Sequence, residues 1–197
     1  GFPRLSTIYH EFLDKSIVSC KQVRDWLIEN KIKQDKLSIC YIGVNQDEWQ
    51  KDNERRARFR KSLSIGSDEF IILYAGRLED QKRPLLLLDT MCMLSSLGIK
   101  AKMLVAGDGS LRVRVENKIK ELGLEESVLL LGSIPPDEMP DFLNAGDLFY
   151  LPSENEGISS AIYEAMSIGL PIVGTNTGGQ KELVSEDCGF LIDRETV

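Results

Sequence analysis

The stretch LFYLPSENEGISSAIYEAMSIGLPIV, residues 148–173, decides the fold. Residues 148–151 and 171–173 are short apolar runs typical of buried strands, and residues 159–167 between them have the apolar spacing of a helix. Proline and glycine residues separate these segments. A strand, a helix and a second strand in this order predict a right-handed βαβ unit, whose two strands lie parallel in one sheet.

The same alternation extends along most of the chain. Short apolar runs alternate with helical patterns, which predicts an α/β fold with a mostly parallel sheet flanked by helices. Ligands of such sheets bind outside the carboxyl ends of the strands, so the loops that follow the strands are the candidate binding loops. The predicted strands are residues 17–20, 37–42, 70–74, 102–106, 128–131, 148–151, 171–173 and 190–192, and the predicted helices are residues 23–30, 84–97, 111–122, 137–145, 159–167 and 180–184.

Composition and charge exclude several classes of function. With 42% hydrophobic residues the 197-residue chain can bury a core, and its net charge of −7 argues against a nucleic-acid-binding protein. No apolar run reaches the roughly 18 residues that a membrane span needs, and residues 1–4 have no signal-peptide pattern.

The four cysteines are scattered, and His10 is the only histidine. A structural zinc site needs four clustered thiol or imidazole ligands, so we expect no metal site. We expect reduced thiols in a cytoplasmic protein rather than disulfides.

Residues 46–60, QDEWQKDNERRARFR, differ from the rest of the chain because they are strongly charged. We interpret them as a linker that runs into a solvated helix. This places a domain boundary near Asn45, with a main domain over residues 61–197.

Two cations follow the predicted strand 70–74. Arg77 and Lys82 lie five residues apart at the carboxyl end of that strand, where an arginine fork and a lysine point charge can converge on a diphosphate. Solvated surface charges are the simpler alternative.

A glycine pair, Gly107-Asp108-Gly109, follows the strand 102–106. It resembles the start of a dinucleotide fingerprint, which would make the protein a dehydrogenase. However, Arg112 stands where the third glycine is required, so a plain turn into a helix is the better interpretation.

The richest loop follows the strand 148–151 and leads into a helix predicted to begin near Ile158. The free N–H groups and the dipole of a helix N-terminus favour an anion. Glu156 precedes the helix, and Glu164 is eight residues further on, on the order of 12 Å at the helical rise. This span suits the reach from a hexose across a diphosphate to a ribose, although two glutamates eight residues apart also occur by chance.

The last candidate loop, Asn176-Thr177-Gly178-Gly179-Gln180, follows the strand 171–173. Gly178 and Gly179 permit a close approach of the backbone to a ligand, and a plain turn is an equally good interpretation.

Taken together, these motifs resemble the group 1 family of glycosyltransferases, whose GT-B architecture has two Rossmann-like domains. The order and spacing of several motifs make the resemblance specific, and it extends from about residue 17 to the end. The motifs are YAGRLEDQKRP (74–84), LVAGDGSLR (104–112), VLLLGSIP (128–135), LPSENEGISSAIYEAMSIGLPIVGTNTGGQKELV (151–184) and GFLI (189–192), with SICYIGVNQDEW (38–49) upstream.

The resemblance implies a role for each matching residue. Arg77 and Lys82 would bind the diphosphate of a nucleoside diphosphate sugar, Glu156 the sugar hydroxyls and Glu164 the ribose. The other implied donor-binding positions, which contribute mainly backbone groups, are Gly76, Ile134, Gly157, Ile158, Ser159, Gly178 and Gly179.

Four positions depart from the family pattern. Ile158 and Ser159 replace an aromatic residue and a glycine, and Ser159 would crowd the sugar. Arg83 replaces a common glycine after the lysine, and Asn45 replaces a common aspartate. These departures bear on the identity of the sugar.

The resemblance also implies that the chain is a fragment. Residues 1–45 would match only the last part of the acceptor-side domain, residues 46–60 would be the linker and helix, and residues 61–197 would be a Rossmann-like donor domain truncated at its C-terminus, without its closing helices. A sugar, lipid-linked or protein acceptor would bind the missing domain, and any membrane association would depend on the missing part.

We therefore predict a retaining glycosyltransferase that transfers a sugar from a nucleoside diphosphate sugar to an acceptor hydroxyl, with this fragment alone inactive. No Asp-x-Asp occurs in the chain, so we expect neither a metal nor another cofactor. The alternatives are a nucleotide-sugar epimerase and a non-catalytic nucleotide-sugar binding module on the same scaffold.

Overall fold

In the computed structural model, which describes residues 8–193, strands and helices alternate as predicted. The strands are β1 (Ser16–Val18), β2 (Leu37–Ile39), β3 (Ile71–Ala75), β4 (Lys102–Ala106), β5 (Val128–Gly132), β6 (Leu148–Leu151), β7 (Ile172–Thr175) and β8 (Gly189–Ile192). The helices are α1 (Lys21–Glu29), α2 (Asn53–Ser62), α3 (Pro84–Ser96), α4 (Arg112–Leu122), α5 (Met139–Asn144) and α6 (Ser160–Ser167).

Two predicted elements differ from the structure. The helix predicted over residues 180–184 is a single 3-10 turn, Gln180–Glu182, and the strand predicted over residues 37–42 ends at Ile39. The outer parts of the predicted domains, residues 1–7 and 194–197, lie outside the described residues. The boundary near Asn45 stays a prediction.

The central sheet has six parallel strands in the order β5-β4-β3-β6-β7-β8 within the described range. This order confirms the Rossmann-like α/β fold. The chain first adds strands on one side of β3 and then returns to add β6, β7 and β8 on the other side. The order therefore reverses between β3 and β6, and the carboxyl ends of these two strands are where such sheets bind ligands.

The core lies on both faces of this sheet. All five residues of β3 are buried, and Leu73, Tyr74, Met103 and Phe149 have no exposed surface. This confirms that the continuous apolar run at β3 is a strand covered on both faces. In β5, which is the edge strand of the sheet, only Val128 is fully buried, and Leu129, Leu130 and Leu131 pack half-buried against the core.

A second, smaller unit lies at the beginning of the described chain. Strands β1 and β2 pair in parallel, and α1 packs against them around Val18, Leu27, Ile32 and Leu37. We call residues 16–39 the N-terminal unit. One face of its sheet is uncovered, since the side chain of Ile17 is 74% exposed.

The expectation that the charged helix is solvated is wrong for one face of α2. Arg60 is 3% exposed, and its guanidinium donates to Asp147 and to the carbonyl oxygens of Ala145 and Glu69. Phe59 packs edge-to-face on Phe142 of α5. An arginine is long enough to bury its stem while its fork satisfies several carbonyl oxygens, and charge counting along the sequence does not reveal this.

Asp147 connects α2 to the central sheet. Its carboxylate accepts hydrogen bonds from Arg56, from Arg60 and from the backbone N–H of Ile71 at the start of β3. Asp141, in contrast, pairs with the more exposed Arg55 and Arg58.

We expect Asp147→Ala to lower the free energy of unfolding by about 3 kcal/mol, because it leaves the charge of Arg60 buried without its partner. The matched control is Asp141→Ala, which also removes an aspartate from two arginines of α2 and should cost about 1 kcal/mol or less. Urea denaturation of both variants measures the difference. Equal losses would contradict the role given to Asp147.

Candidate functional site at the carboxyl edge of the sheet

The loops that follow β3 and β6 are joined to each other at the point where the strand order reverses. The backbone N–H of Glu154 donates to the carbonyl oxygen of Gln81 (2.8 Å), and the Gln81 side-chain amide donates to the carbonyl oxygen of Asn155 (2.7 Å). Residues 76–83 and 152–159, which the sequence singled out separately, therefore form one surface.

Lys82 and Glu156 meet on this surface as an ion pair. The Lys82 ammonium donates to Oε1 of Glu156, and the side chains are 14% and 7% exposed respectively. A buried ion pair is stabilising only when both partners are present, because either charge alone would be costly to desolvate. The sequence predicted both residues as ligand-binding but not that they contact each other.

Arg77 is the exposed cation of the same loop. Within residues 8–193 its guanidinium has no ion-pair partner, while its carbonyl oxygen accepts a hydrogen bond from the hydroxyl of Tyr74 (2.9 Å). Burial raises the pKa of Tyr74 well above its ordinary value, so the hydroxyl stays a donor. The backbone of Arg77 is thus fixed, and its side chain is available to a ligand.

The glycine loop that follows β7 packs directly on the backbone beside Glu156. A Cβ atom on Gly178 would lie 1.9 Å from the carbonyl oxygen of Glu156, and Gly178 has a φ of +61°. The N–H of Gly179 donates to the carbonyl oxygen of Gly157 (2.6 Å). The two glycines therefore allow a close approach between two protein loops, and their role in binding the donor stays a prediction.

Helix α6 begins at Ser160, two residues later than predicted. Ser159 is its N-cap residue, is 6% exposed, and makes no side-chain capping hydrogen bond. Because residues 156–159 precede the helix, the helical rise does not give the separation of Glu156 and Glu164, and the estimate of about 12 Å is not valid for this segment. Gly157 is exposed and Ile158 half-buried.

Glu164 lies in the second turn of α6 and is half-buried. Burial raises the pKa of its carboxyl group, and no other group contributes. In the described chain no hydrogen bond or ion pair joins Glu164 to Lys82 or Glu156. The structure thus joins Lys82 and Glu156 directly, whereas the Glu164 carboxylate accepts no hydrogen bond from a residue in the range 8–193.

The glycine pair Gly107 and Gly109 holds the Arg77–Lys82 loop in place. A Cβ on Gly107 would lie 1.9 Å from the carbonyl oxygen of Gly76, and one on Gly109 would lie 2.5 Å from that of Leu78. Glu79 accepts hydrogen bonds from the N–H and hydroxyl of Ser110, which hold its pKa below the ordinary value. These loop contacts account for the presence of glycine at both positions without a role in dinucleotide binding.

The remaining predicted positions have a simpler structural role. Ile134 follows β5, is half-buried and packs against the core, and Gly76 donates its N–H to the carbonyl oxygen of Ala106. Arg83, which replaces a glycine of the family pattern, has a φ of +51°. The left-handed backbone at this position explains why glycine is the usual residue, and arginine adopts it at a cost of about 1 kcal/mol.

Sequence reasoning missed three residues that hold the loops together. Gln81 and Thr177 donate side-chain hydrogen bonds to the backbone of residues 154–155, and Glu79 caps the turn before α4. Gln81 and Thr177 lie inside motifs that were recognised, but polar side chains there carry no periodic pattern, so only the folded loops reveal their partners.

The described residues contain neither a cluster of metal ligands nor a helix that could span a membrane. No group of three or more His, Cys, Asp or Glu side chains in residues 8–193 is arranged to hold a metal ion. Over the same range, no helix is both long and apolar enough to cross a membrane.

Comparison with known proteins identifies relatives over most of the chain. The profile of the family described as "Glycosyl transferases group 1" matches residues 55–197. A glycosyltransferase of Methanocaldococcus jannaschii is 30% identical over 158 residues, which cover 78% of this chain and 40% of that protein. An Escherichia coli UDP-Gal:alpha-D-GlcNAc-diphosphoundecaprenol alpha-1,3-galactosyltransferase is 32% identical over 162 residues, covering 80% of this chain and 41% of that protein.

Solved structures share the fold over nearly the whole chain. Anabaena Alr3699/HepE, determined in complex with UDP and glucose, superposes with a TM-score of 0.87 at 23% identity, covering 97% of this chain and 52% of that one. The chain thus spans about 40% of the length of the two curated relatives named above.

We expect Gly178→Ala to destabilise the protein more than Gly123→Ala. Both glycines have a positive φ (+61° and +66°), but a Cβ on Gly123 has no neighbour within 4 Å. The strain alone should cost about 1 kcal/mol at either position, and the clash with Glu156 should add ~2 kcal/mol at Gly178. Denaturant unfolding of both variants provides the measurement, and equal losses would contradict the close approach.

Proposed function

The chain belongs to the group 1 family of glycosyl transferases, and we propose that it is the donor-binding domain of a retaining enzyme that transfers a sugar from a nucleoside diphosphate sugar to an acceptor hydroxyl. The observation that carries the proposal is the Lys82–Glu156 pair at the reversal of strand order, beside the N-terminus of α6. There a cation, a carboxylate and free backbone N–H groups lie within one surface.

The diphosphate is assigned to Arg77, Lys82 and the N-terminus of α6. Arg77 is exposed on the β3 loop, Lys82 is held nearby by its own pair, and the first N–H groups of α6 have no partner within the helix. Phosphate oxygens are acceptors only, so donors and a positive helix end suit them. The amides of Gly157, Ile158 and Ser159, in the loop just before α6, would supply further donors.

The two glutamates are assigned to hydroxyl groups at the two ends of the donor. A carboxylate accepts hydrogen bonds from vicinal hydroxyls, which suits Glu156 for the sugar and Glu164 for the ribose. The solved Anabaena neighbour holds UDP and glucose, and the name of the Escherichia coli relative specifies UDP-Gal, which supports a uridine diphosphate sugar as the donor class.

In the proposed reaction, negative charge accumulates on the departing diphosphate. Arg77, Lys82 and the dipole of α6 would stabilise that charge as it develops, and losing one such donor typically costs about 3 kcal/mol, or a hundredfold in rate. No metal is needed in this scheme. Lys82 must exchange Glu156 for phosphate when the donor binds, and the sugar hydroxyls would then compensate Glu156.

The acceptor is assigned to protein that lies beyond this unit. The N-terminal unit exposes Ile17, and Phe12 just before it is 82% exposed, as expected if further strands or helices pack there in the whole enzyme. We propose that a sugar, lipid-linked or protein acceptor binds on that side, and that the enzyme is cytoplasmic. Unpaired cysteines at all four positions agree with that location.

Lys82→Ala tests the diphosphate site. We expect about a hundredfold loss of sugar transfer and about a tenfold weaker Kd for UDP, because a phosphate partner is removed. Lys100→Ala, an exposed lysine before β4 at the opposite edge of the sheet, is the control and should change neither. Transfer assays on the whole enzyme and calorimetry with UDP provide the readouts. A transfer rate and a Kd for UDP that both stay within about threefold of the wild-type values would refute the assignment.

Glu156→Gln and Glu164→Gln should separate the two ends of the donor. Glu156→Gln frees Lys82 from its ion pair, so UDP should bind as well as before or more tightly, while UDP-sugar loses affinity. Glu164→Gln should weaken UDP and UDP-sugar by a similar factor, about tenfold, because both contain the ribose. Calorimetry with each ligand makes the comparison, and equal effects of the two variants on UDP would contradict this division.

A further inference from the structure

Helix α1 of the N-terminal unit lacks a local cap. Its N-cap residue is Cys20, whose thiol gives no capping hydrogen bond, and its first turn contains no acidic residue. The first N–H groups of a helix need acceptors, and the positive end of the helix dipole favours a carboxylate. In this protein the hydrogen-bond acceptor for these N–H groups comes from the main domain, about 160 residues further along the chain.

Glu182 is that acceptor. Its Oε2 accepts from the N–H of Lys21 (3.0 Å) and from the hydroxyl of Tyr41 (2.8 Å), and its Oε1 accepts from the N–H of Gln22 (3.1 Å). Burial acts to raise the pKa of Glu182, but these hydrogen bonds outweigh it and leave the pKa below its ordinary value. The carboxylate therefore remains ionised at neutral pH and caps α1 from outside.

The turn that carries Glu182 directly follows the glycine loop that packs beside the proposed donor site. Gln180–Glu182 follows Gly178 and Gly179 directly, and Gln180 has no exposed surface, which leaves the turn little freedom. A second contact runs beside it, because the Cys20 thiol donates to the carbonyl oxygen of Gly157 (3.5 Å). The N-terminal unit thus contacts, at two points, the loops that position Glu156.

We propose that Glu182 is a positioning residue, which fixes the N-terminal unit on the Gly157 and Gly178–Gly179 loops and so sets the placement of the acceptor side relative to the donor sugar. The inference rests on the proposed function for its catalytic consequence. Glu182 touches neither donor nor acceptor in this scheme. Its removal should misalign the two reactants while leaving the diphosphate contacts of Arg77 and Lys82 intact, and misplacement by an ångström can cost up to about a hundredfold in rate.

Glu182→Ala tests the proposal in the whole enzyme. We expect kcat to fall about tenfold or more, with Kd for UDP within about twofold of the wild type. Amide hydrogen exchange at Lys21 and Gln22 should accelerate by about tenfold, because both lose their acceptor. Glu186→Ala, an exposed glutamate four residues further on, is the control and should leave all three quantities unchanged. Tyr41→Phe removes one of the three hydrogen bonds and should give a smaller loss in the same direction.

Two outcomes would overturn the proposal. Unchanged exchange at Lys21 and Gln22 would show that Glu182 does not hold α1, and faster exchange with unchanged kcat would show that the contact is only structural. The hydrogen-exchange measurement needs no substrate, so its result tests the contact between Glu182 and α1 independently of the proposed function. A wild-type enzyme that protects both amides but transfers no sugar would contradict the proposed function and leave the docking by Glu182 supported.

Discussion

The geometry of the candidate site depends on the close packing of two other loops against the backbone of residues 154–157. Gly178 leaves no room for a side chain against the carbonyl oxygen of Glu156, and Gly179 and Gln81 bond to the peptide groups on either side. Peptide groups are rigid and directional acceptors, so three loops from three different strands are fixed relative to one another. Lys82 and Glu156 meet because their loops have no freedom to separate.

Much of this arrangement could be predicted from the sequence because it depends on periodicity. Apolar runs and glycine punctuation predicted the strands of the central sheet and its parallel arrangement, and the rule that ligands bind at carboxyl ends pointed to the loops that contact one another in the structure. The motif order then gave the family. Arg77, Lys82 and Glu156 were candidates from their positions after the strands, and the resemblance to the family implied their roles.

The contacts that hold the site together could not be predicted in this way. Glu182 lies some 160 residues from the amides it caps, Arg60 is buried although its neighbours are charged, and the helical-rise estimate failed because residues 156–159 precede α6. Each depends on which segments become neighbours in space. Side chains that form hydrogen bonds to a distant backbone follow no periodic pattern along the chain. The amino-acid composition does not distinguish them from polar side chains exposed to solvent.

The Lys82–Glu156 pair contributes little to the electric field that a distant anion meets. Because its two charges are in contact, their fields largely cancel at distances greater than their separation, and the protein as a whole carries a charge of −7. Arg77 is the cation of the β3 loop whose charge is not neutralised by a partner in the described chain. In the proposed scheme, encounter with the anionic donor would therefore be governed by Arg77 and screened by salt, whereas Lys82 would act only after contact, once it has exchanged Glu156 for phosphate.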